Sequence, residues 1–262
     1  MNKTISILLR CLGMNRPKPR TRFGLYLRRS ERVFVILAVL YAVLHIFPQA
    51  VFAHSVTTNG ITIYSRSPLP PEATLCATRA AELLKQSELA VVGRHENVYV
   101  CDTPWLFRLF SPGSSGAFAV SVPLTDNVFV AAADFYADVA MRSGSDFNKR
   151  SFSAVVAHEI THGLIRHRLG LVNSIRLPDW VAEGYCDYVA RESSFPEEDG
   201  LRLFVSGQKH PSMSYRYFIY RQMVRYLAEH QNLTFSEIVA RANEPDAVAA
   251  ETRQELRSGT PQ

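Results

Sequence analysis

Residues 151–191 read SFSAVVAHEITHGLIRHRLGLVNSIRLPDWVAEGYCDYVAR and contain most of the chemistry that the sequence predicts. His158 and His162 are four residues apart, so on a helix both imidazoles project from the same face. At that spacing two neutral ring nitrogens reach one metal ion at about 2.0–2.1 Å. Glu159 lies about 100° further round the helix, beside the open position of the metal, where a general base is needed.

The residues around this motif favour a helix. Its apolar positions form a stripe made of Phe152, Val155, Val156, Ile160, Leu164 and Ile165. Ser151 or Ser153 is suited to cap the start of the helix, and Gly170 is suited to end it.

A catalytic zinc ion usually has three protein ligands and a water, so a third ligand is needed. Glu183 is the best candidate, on a second helix whose first turn suits Pro178. Asp187 follows four residues later on the same face, where its carboxylate is placed to accept the second N–H of a ligating histidine. Cys186 is expected to point away from that face, as a small buried residue.

HEITH at 158–162 followed by WVAEGYCDY at 180–188 resembles the gluzincin zinc metallopeptidases, which share an HExxH…E motif. The resemblance is strong over roughly 40 residues. It implies Zn²⁺ bound by His158, His162 and Glu183, with Glu159 as the catalytic base. Asp187 matches an aspartate of the thermolysin-like members, four residues after the third ligand. The linker of residues 163–182 differs from the family's commonest forms, which a small insertion before Pro178 would explain.

A rival third ligand is His167, but the metzincin pattern requires a glycine three residues and a histidine six residues after the second ligand. This chain has Ile165 and Arg168 at those positions. We therefore expect His167 to be a residue of the helix C-terminus, favoured by the helix dipole.

The resemblance also implies a hydrogen-bond donor for the oxyanion and an edge strand that binds the substrate backbone. Counting back from Tyr226-Leu227, as in the aminopeptidase-like members, identifies Tyr217 as the donor. Tyr220, Tyr215 and His210 are alternatives. Residues 116–121 are the candidate edge strand, the alternative being an ordinary structural hairpin. No acidic motif for binding an amino terminus precedes the HExxH helix, so aminopeptidase activity is not supported.

The net charge of +5 over 262 residues is a property of the N-terminal tail. Residues 1–53 contain nine Lys/Arg and one acid, a charge of +8, and the remaining residues contain 20 basic and 23 acidic side chains, a charge of −3. The composition therefore gives no support for nucleic-acid binding by the globular part.

An apolar run at residues 33–47 follows several arginines, the order expected when the N-terminus stays in the cytoplasm. We expect residues 1–32 to be a basic cytoplasmic tail and residues 33–53 a transmembrane signal-anchor. Cleavage of a signal peptide after Ala53 is the alternative. Either arrangement places residues 54–262 outside the cytoplasm, either membrane-anchored or, after cleavage, secreted. In that compartment Cys76 and Cys101 are candidates for a disulfide.

The predicted fold class is α+β and zincin-like. A small mixed sheet with strands at 61–65 and 97–101 and a hairpin at 117–133 precedes the HExxH helix. The C-terminal half is mainly helical, with a polar loop at 192–200, a long helix at 213–230 and a frayed end from about 251.

The predicted function is zinc-dependent hydrolysis of peptide bonds in a peptide or protein substrate. A non-catalytic zinc-binding module is one alternative, although Glu159 would not be needed for it. A membrane-anchored interaction protein with an accidental HEITH string is another, and hydrolysis of non-peptide amides is a third.

Overall fold

The computed structural model describes residues 21–114, 116–142 and 145–258, with the backbone alone for residues 145–149. The chain divides into two compact units, Met1–Val51 and Phe52–Gln262. The second unit combines two small sheets with a largely helical C-terminal half, so the predicted α+β class is confirmed.

The described part of the first unit is helix α1, Arg22–Ile46, followed by a 3₁₀ turn at Pro48–Ala50. No helix of the described residues is both long and apolar enough to span a bilayer. The signal-anchor expected at residues 33–53 stays a prediction.

The larger sheet of the second unit has five strands in the order β1-β2-β3-β5-β4. The strands are β1 His54–Thr58, β2 Ile61–Ser65, β3 Glu96–Val100, β4 Ala119–Ser121 and β5 Val128–Val130. Strands β2, β3 and β5 are parallel, whereas β1 and β4 run antiparallel at the two edges. The predicted strands and the β4–β5 hairpin are confirmed, and the sheet is mixed as expected.

Successive side chains along each strand point to opposite faces of the sheet, and both faces are buried against different side chains. Val98, Val100 and Val128 belong to the main core, whereas Tyr99 and Phe129 stack on the opposite face with ring centroids 5.1 Å apart. Helix α2, Glu72–Leu84, packs small side chains such as Ala77 against the core face. Helix α3, Pro104–Phe110, was not predicted; its Phe110 ring stacks on Phe129.

A second sheet, which was not predicted, follows the first sheet along the chain and precedes the HExxH helix. It consists of β6 Ala132–Asp134, β7 Val139–Arg142 and β8 Ser145–Ser151, all antiparallel. Strand β8 continues directly into α4, Phe152–Leu169, which carries the HEITH motif.

The ends of α4 agree with the sequence. Ser151 occupies the N-cap position, but its side chain makes no capping hydrogen bond. Asp138 provides that interaction instead, accepting hydrogen bonds from the backbone N–H of Ser153 at 2.9 Å and from its hydroxyl at 2.8 Å. Gly170 ends the helix with a φ of 79°, a conformation that glycine adopts without strain.

The C-terminal half contains helices and one π-helical segment. They are α5 Leu171–Arg176, α6 Asp179–Ala190, α7 Glu197–Ser206, α8 Met213–Arg225, the π-helix Tyr226–His230, α9 Phe235–Ala240 and α10 Pro245–Ser258. Two predictions were wrong here. The expected polar loop at 192–200 contains the start of α7, favoured by Pro196 before a first turn of three acids. The expected frayed end is helical to Ser258, because Val248 and Thr252 are buried.

Helices α6 and α8 cross at Gly184. A Cβ atom at that position would lie 2.6 Å from the carbonyl oxygen of Tyr220. Glycine therefore allows the two backbones to approach closely, and this crossing fixes α6 against the helix that carries Tyr217.

The disulfide expected between Cys76 and Cys101 is not formed, since both thiols are free and buried. Cys76 Sγ lies 3.5 Å from the carbonyl oxygen of Phe135, the residue after β6. Burial raises the pKa of each thiol to about 12, so both are protonated at neutral pH.

Candidate metal site and cleft

Helices α4 and α6 bring the three predicted ligands together. The rings of His158 and His162 have their centroids 5.0 Å apart on one face of α4. Glu183 of α6 meets both: one carboxylate oxygen lies 3.3 Å from His158 Nε2 and the other 3.6 Å from His162 Nε2. All three donor atoms are thus neighbours although 20 residues of chain separate His162 from Glu183.

These separations are close to those between the ligands of one zinc ion. Two ligand atoms that are each 2.0–2.1 Å from a tetrahedral zinc ion are about 3.4 Å apart. Each Glu183 oxygen lies about that far from the nitrogen of one histidine, 3.3 Å for His158 and 3.6 Å for His162. The donor set, two imidazoles and a carboxylate, is also one that catalytic zinc sites use.

The second nitrogen of His158 is bonded as predicted. Its Nδ1 donates to a carboxylate oxygen of Asp187 at 2.7 Å. The same oxygen accepts a hydrogen bond from Arg150 Nη2 at 3.0 Å. Asp187 is fully buried, and this contact fixes the His158 ring with Nε2 directed at Glu183.

Charge and burial act in opposite directions on these groups. Burial alone would lower the pKa of His158, but the Asp187 carboxylate outweighs it and raises that pKa to about 10. At His162 burial outweighs the nearby Glu183 carboxylate, so the pKa of His162 is lowered. Burial would raise the pKa of Glu183, yet its hydrogen bond to His158 and the nearby His162 hold that pKa below its usual range. Zinc binding would therefore require His158 to release a proton.

Cys186 also lies at this site, which corrects the expectation that it points away. One donor atom each of His158, His162 and Cys186 lies within 4.8 Å of the others. The reason is helical geometry: Cys186 is three residues after Glu183, about 60° from it around α6. Burial raises the pKa of this thiol well above its usual value. The Glu183 carboxylate is ionised because its pKa is held low, whereas the Cys186 thiol is protonated, so Glu183 is the better third ligand.

The site opens into a cleft of about 540 Å³. His158, Glu159, His162 and Glu183 all line the cleft, and Glu159 is half-buried there. Its carboxylate is thus beside the candidate ligands and accessible to a small molecule, as the predicted role of base requires.

Tyr217 of α8 lines the same cleft. Burial, with the nearby Glu183 carboxylate, raises the pKa of its phenol to about 12, so the group is a donor at neutral pH. The alternatives fit less well: Tyr220 and His210 are not among the cleft residues, and the Tyr215 hydroxyl donates to the carbonyl of Gln208 at 3.2 Å.

Strand β4 forms one wall of the cleft and is an edge of its sheet. Backbone hydrogen bonds join the residues on either side of β4 to those on either side of β5. The carbonyl oxygen of Phe118 accepts from the N–H of Ala131, and the N–H of Val122 donates to the carbonyl oxygen of Asn127. Because backbone groups alternate in direction along an antiparallel strand, those of Ala119 and Ser121 face the free edge.

No protein-family model matches this chain, and no curated protein matches it either. Two arginines of the site were not predicted. Arg150 is too far from Asp187 along the chain to give a local signal. Arg166, one turn after His162, donates to Ser121 Oγ at 2.8 Å and so connects α4 to the edge strand.

Proposed function

We propose that this protein is a zinc-dependent peptidase that hydrolyses internal peptide bonds, with a zincin-like arrangement of its catalytic helices. The observation that carries the proposal is the placement of Glu183 at 3.3 Å and 3.6 Å from the two histidine nitrogens, beside Glu159 in an open cleft.

His158, His162 and Glu183 would hold the metal. When bound there, zinc supplies a Lewis acid that lowers the pKa of a water to about 7 and polarises a carbonyl group. Asp187 keeps His158 oriented for this task through its 2.7 Å hydrogen bond.

The remaining steps belong to the side chains of the cleft. Glu159 takes a proton from the attacking water, whose oxygen bonds to the carbonyl carbon of the substrate. Tyr217 donates a hydrogen bond to the carbonyl oxygen as it becomes negative. Glu159 then passes the proton to the nitrogen as the C–N bond breaks, leaving a carboxyl group and an amine.

The free edge of β4 supplies a means of binding an extended substrate. The outward backbone groups of Ala119 and Ser121 would pair with a peptide in the cleft, as when a peptide adds a strand to a sheet. This arrangement favours a peptide over a small non-peptide amide, which has no extended backbone to pair.

The test is digestion of a peptide library by the purified full-length protein. The unmodified protein should cleave internal bonds, and Glu159→Gln should retain zinc but lose turnover by several orders of magnitude. Removal of zinc by a chelator, followed by its return, should abolish and restore cleavage. A fully active Glu159→Gln protein would remove the assigned base.

A non-catalytic zinc-binding module is the alternative function. It would bind zinc with the same ligands and cleave no peptide in this library. The half-buried carboxylate of Glu159 favours the peptidase, because zinc binding alone does not require it.

The location of the chain is a separate proposal. The arginines that precede the apolar residues of α1 support a cytoplasmic N-terminus with residues 54–262 on the other side of a membrane. Reporter proteins fused after residue 20 and after residue 258 should report opposite compartments if this topology holds.

A further inference from the structure

We propose that the cleft selects peptides by a carboxylate group and that Arg142 is the residue that binds it. This inference rests on the proposed peptidase function, since the carboxylate would belong to the substrate of the same cleft. It adds a substrate class, peptides with an acidic side chain or a free C-terminus near the bond that is cut.

Three arginines line the cleft, and two of them are neutralised within the chain. Arg150 pairs with Asp187 at 3.0 Å. Arg166 pairs with Asp126 at 2.9 Å. Arg142 also lines the cleft, and no carboxylate partner is found for it among the residues whose side chains the structure describes.

Two contacts hold the Arg142 guanidinium in place. Its Nε donates to the carbonyl oxygen of Gly116 at 2.6 Å. Its central carbon lies 5.3 Å from the centroid of the Phe118 ring, a cation–π distance. Because these contacts use the Nε edge and one face, the outer nitrogens of the guanidinium are left to bind a carboxylate.

The backbone of β7 places this side chain. The pairing of β7 with β8 changes register between Ala140 and Arg142, the irregularity of a β-bulge. Bulges bend a strand and redirect a side chain, and they are frequent beside active sites. Here the redirected side chain is one that lines the cleft.

Arg142 lies beside the start of β4, the strand that is proposed to bind the substrate backbone. Its two contacts, Gly116 and Phe118, come immediately before β4. A peptide paired with Ala119 and Ser121 would therefore run past the guanidinium at one end of the strand. Arginine binds a carboxylate with two parallel hydrogen bonds, a geometry that a neutral amide cannot reproduce with the same strength.

The test measures peptide binding without turnover. The protein is the zinc-loaded Glu159→Gln variant, and the probes are fluorescent copies of one extended peptide that contains Asp or Glu and has a free C-terminus. In one arm each Asp or Glu is replaced in turn by Asn or Gln, and in the other the C-terminal carboxylate is replaced by an amide. Loss of one of these carboxylates should weaken binding about tenfold, as expected for a partly exposed charged hydrogen bond.

Substitution of the arginine identifies its role. When Arg142→Gln is added to the Glu159→Gln variant, the tenfold difference in affinity between the carboxylate peptide and its amide version should disappear. When Arg142→Glu is added instead, the amide version should bind more tightly than the carboxylate peptide. Arg108→Gln, which removes the same charge from the exposed face of α3, should keep the difference. The inference would be overturned if the protein that retains Arg142 bound all of the peptides equally. It would also be overturned if the difference in affinity between the carboxylate and amide peptides persisted in the Arg142→Gln protein.

Failure of this inference can be separated from failure of the proposed function. Cleavage of neutral and acidic peptides at equal efficiency would overturn the carboxylate preference and leave the peptidase intact. Carboxylate-dependent binding at Arg142 without any cleavage by the protein that retains Glu159 would instead overturn the peptidase.

Discussion

His158 Nδ1 and Asp187 Oδ1 lie 2.7 Å apart, a hydrogen bond between two helices that meet at the candidate zinc site. Asp187 is in turn held by Arg150, at the end of the strand that leads into the HExxH helix. The orientation of a proposed zinc ligand therefore depends on a buried carboxylate and on a strand that the sequence did not predict.

Replacing that carboxylate should weaken zinc binding. Asp187→Asn retains the shape of the side chain but removes the charge that neutralises Arg150 and orients His158. We expect zinc affinity to fall about 10–100-fold, as for other carboxylates that support a metal-binding histidine. Competition with a chromogenic chelator measures the affinity, and Asp199→Asn on the exposed start of α7 is the control. Unchanged affinity would show that the hydrogen bond has no part in the site.

The crossing of α6 and α8 should not tolerate a methyl group. In Gly184→Ala the new Cβ would meet the backbone carbonyl of Tyr220 at 2.6 Å, so one helix must move. We expect a loss of about 1–3 kcal/mol in the free energy of unfolding, the usual cost of overpacking. Urea denaturation measures it.

Gly163→Ala is the matched control for that crossing. Its Cβ would meet the ends of two side chains, Arg94 at 3.3 Å and Asp126 at 3.4 Å, which can adjust. It should be destabilised less than Gly184→Ala. Equal losses would mean that the close approach of the two backbones is unimportant.

The role of Tyr217 can be separated from its contribution to packing. Tyr217→Phe keeps the ring and removes the hydroxyl, so kcat should fall about 10²–10³-fold while KM changes little. Tyr220→Phe should leave both constants near their original values, since Tyr220 does not line the cleft. Steady-state kinetics on one fluorogenic peptide compare the two variants. Normal turnover by Tyr217→Phe would assign the oxyanion donor elsewhere.

The parts of this protein that could be predicted are those with a local pattern. The bounds of α4 follow from its apolar stripe and from Gly170, and the strands at 61–65 and 97–101 follow from alternation. The meeting of Glu183 with the two histidines could be anticipated only through the resemblance to a known motif, because the chain between them has no period of its own.

The parts that could not be predicted depend on contacts between distant residues. The second sheet consists of short strands without clear alternation, and its pairing depends on the packing around it. The expectation that Cys186 points away was wrong because it overlooked that a residue three positions after Glu183 lies only about 60° from it around α6. The difference between Arg142 and the other two arginines of the cleft is visible only once the partners of Arg150 and Arg166 are known.

The central claim is that His158, His162 and Glu183 bind one zinc ion, and the zinc content of matched variants tests it most directly. Elemental analysis of the purified protein should give one zinc per chain for the unmodified protein and for Cys186→Ala, and near zero for Glu183→Gln. One zinc retained by Glu183→Gln and lost by Cys186→Ala would contradict the account, because the thiol and not the carboxylate would then be the third ligand.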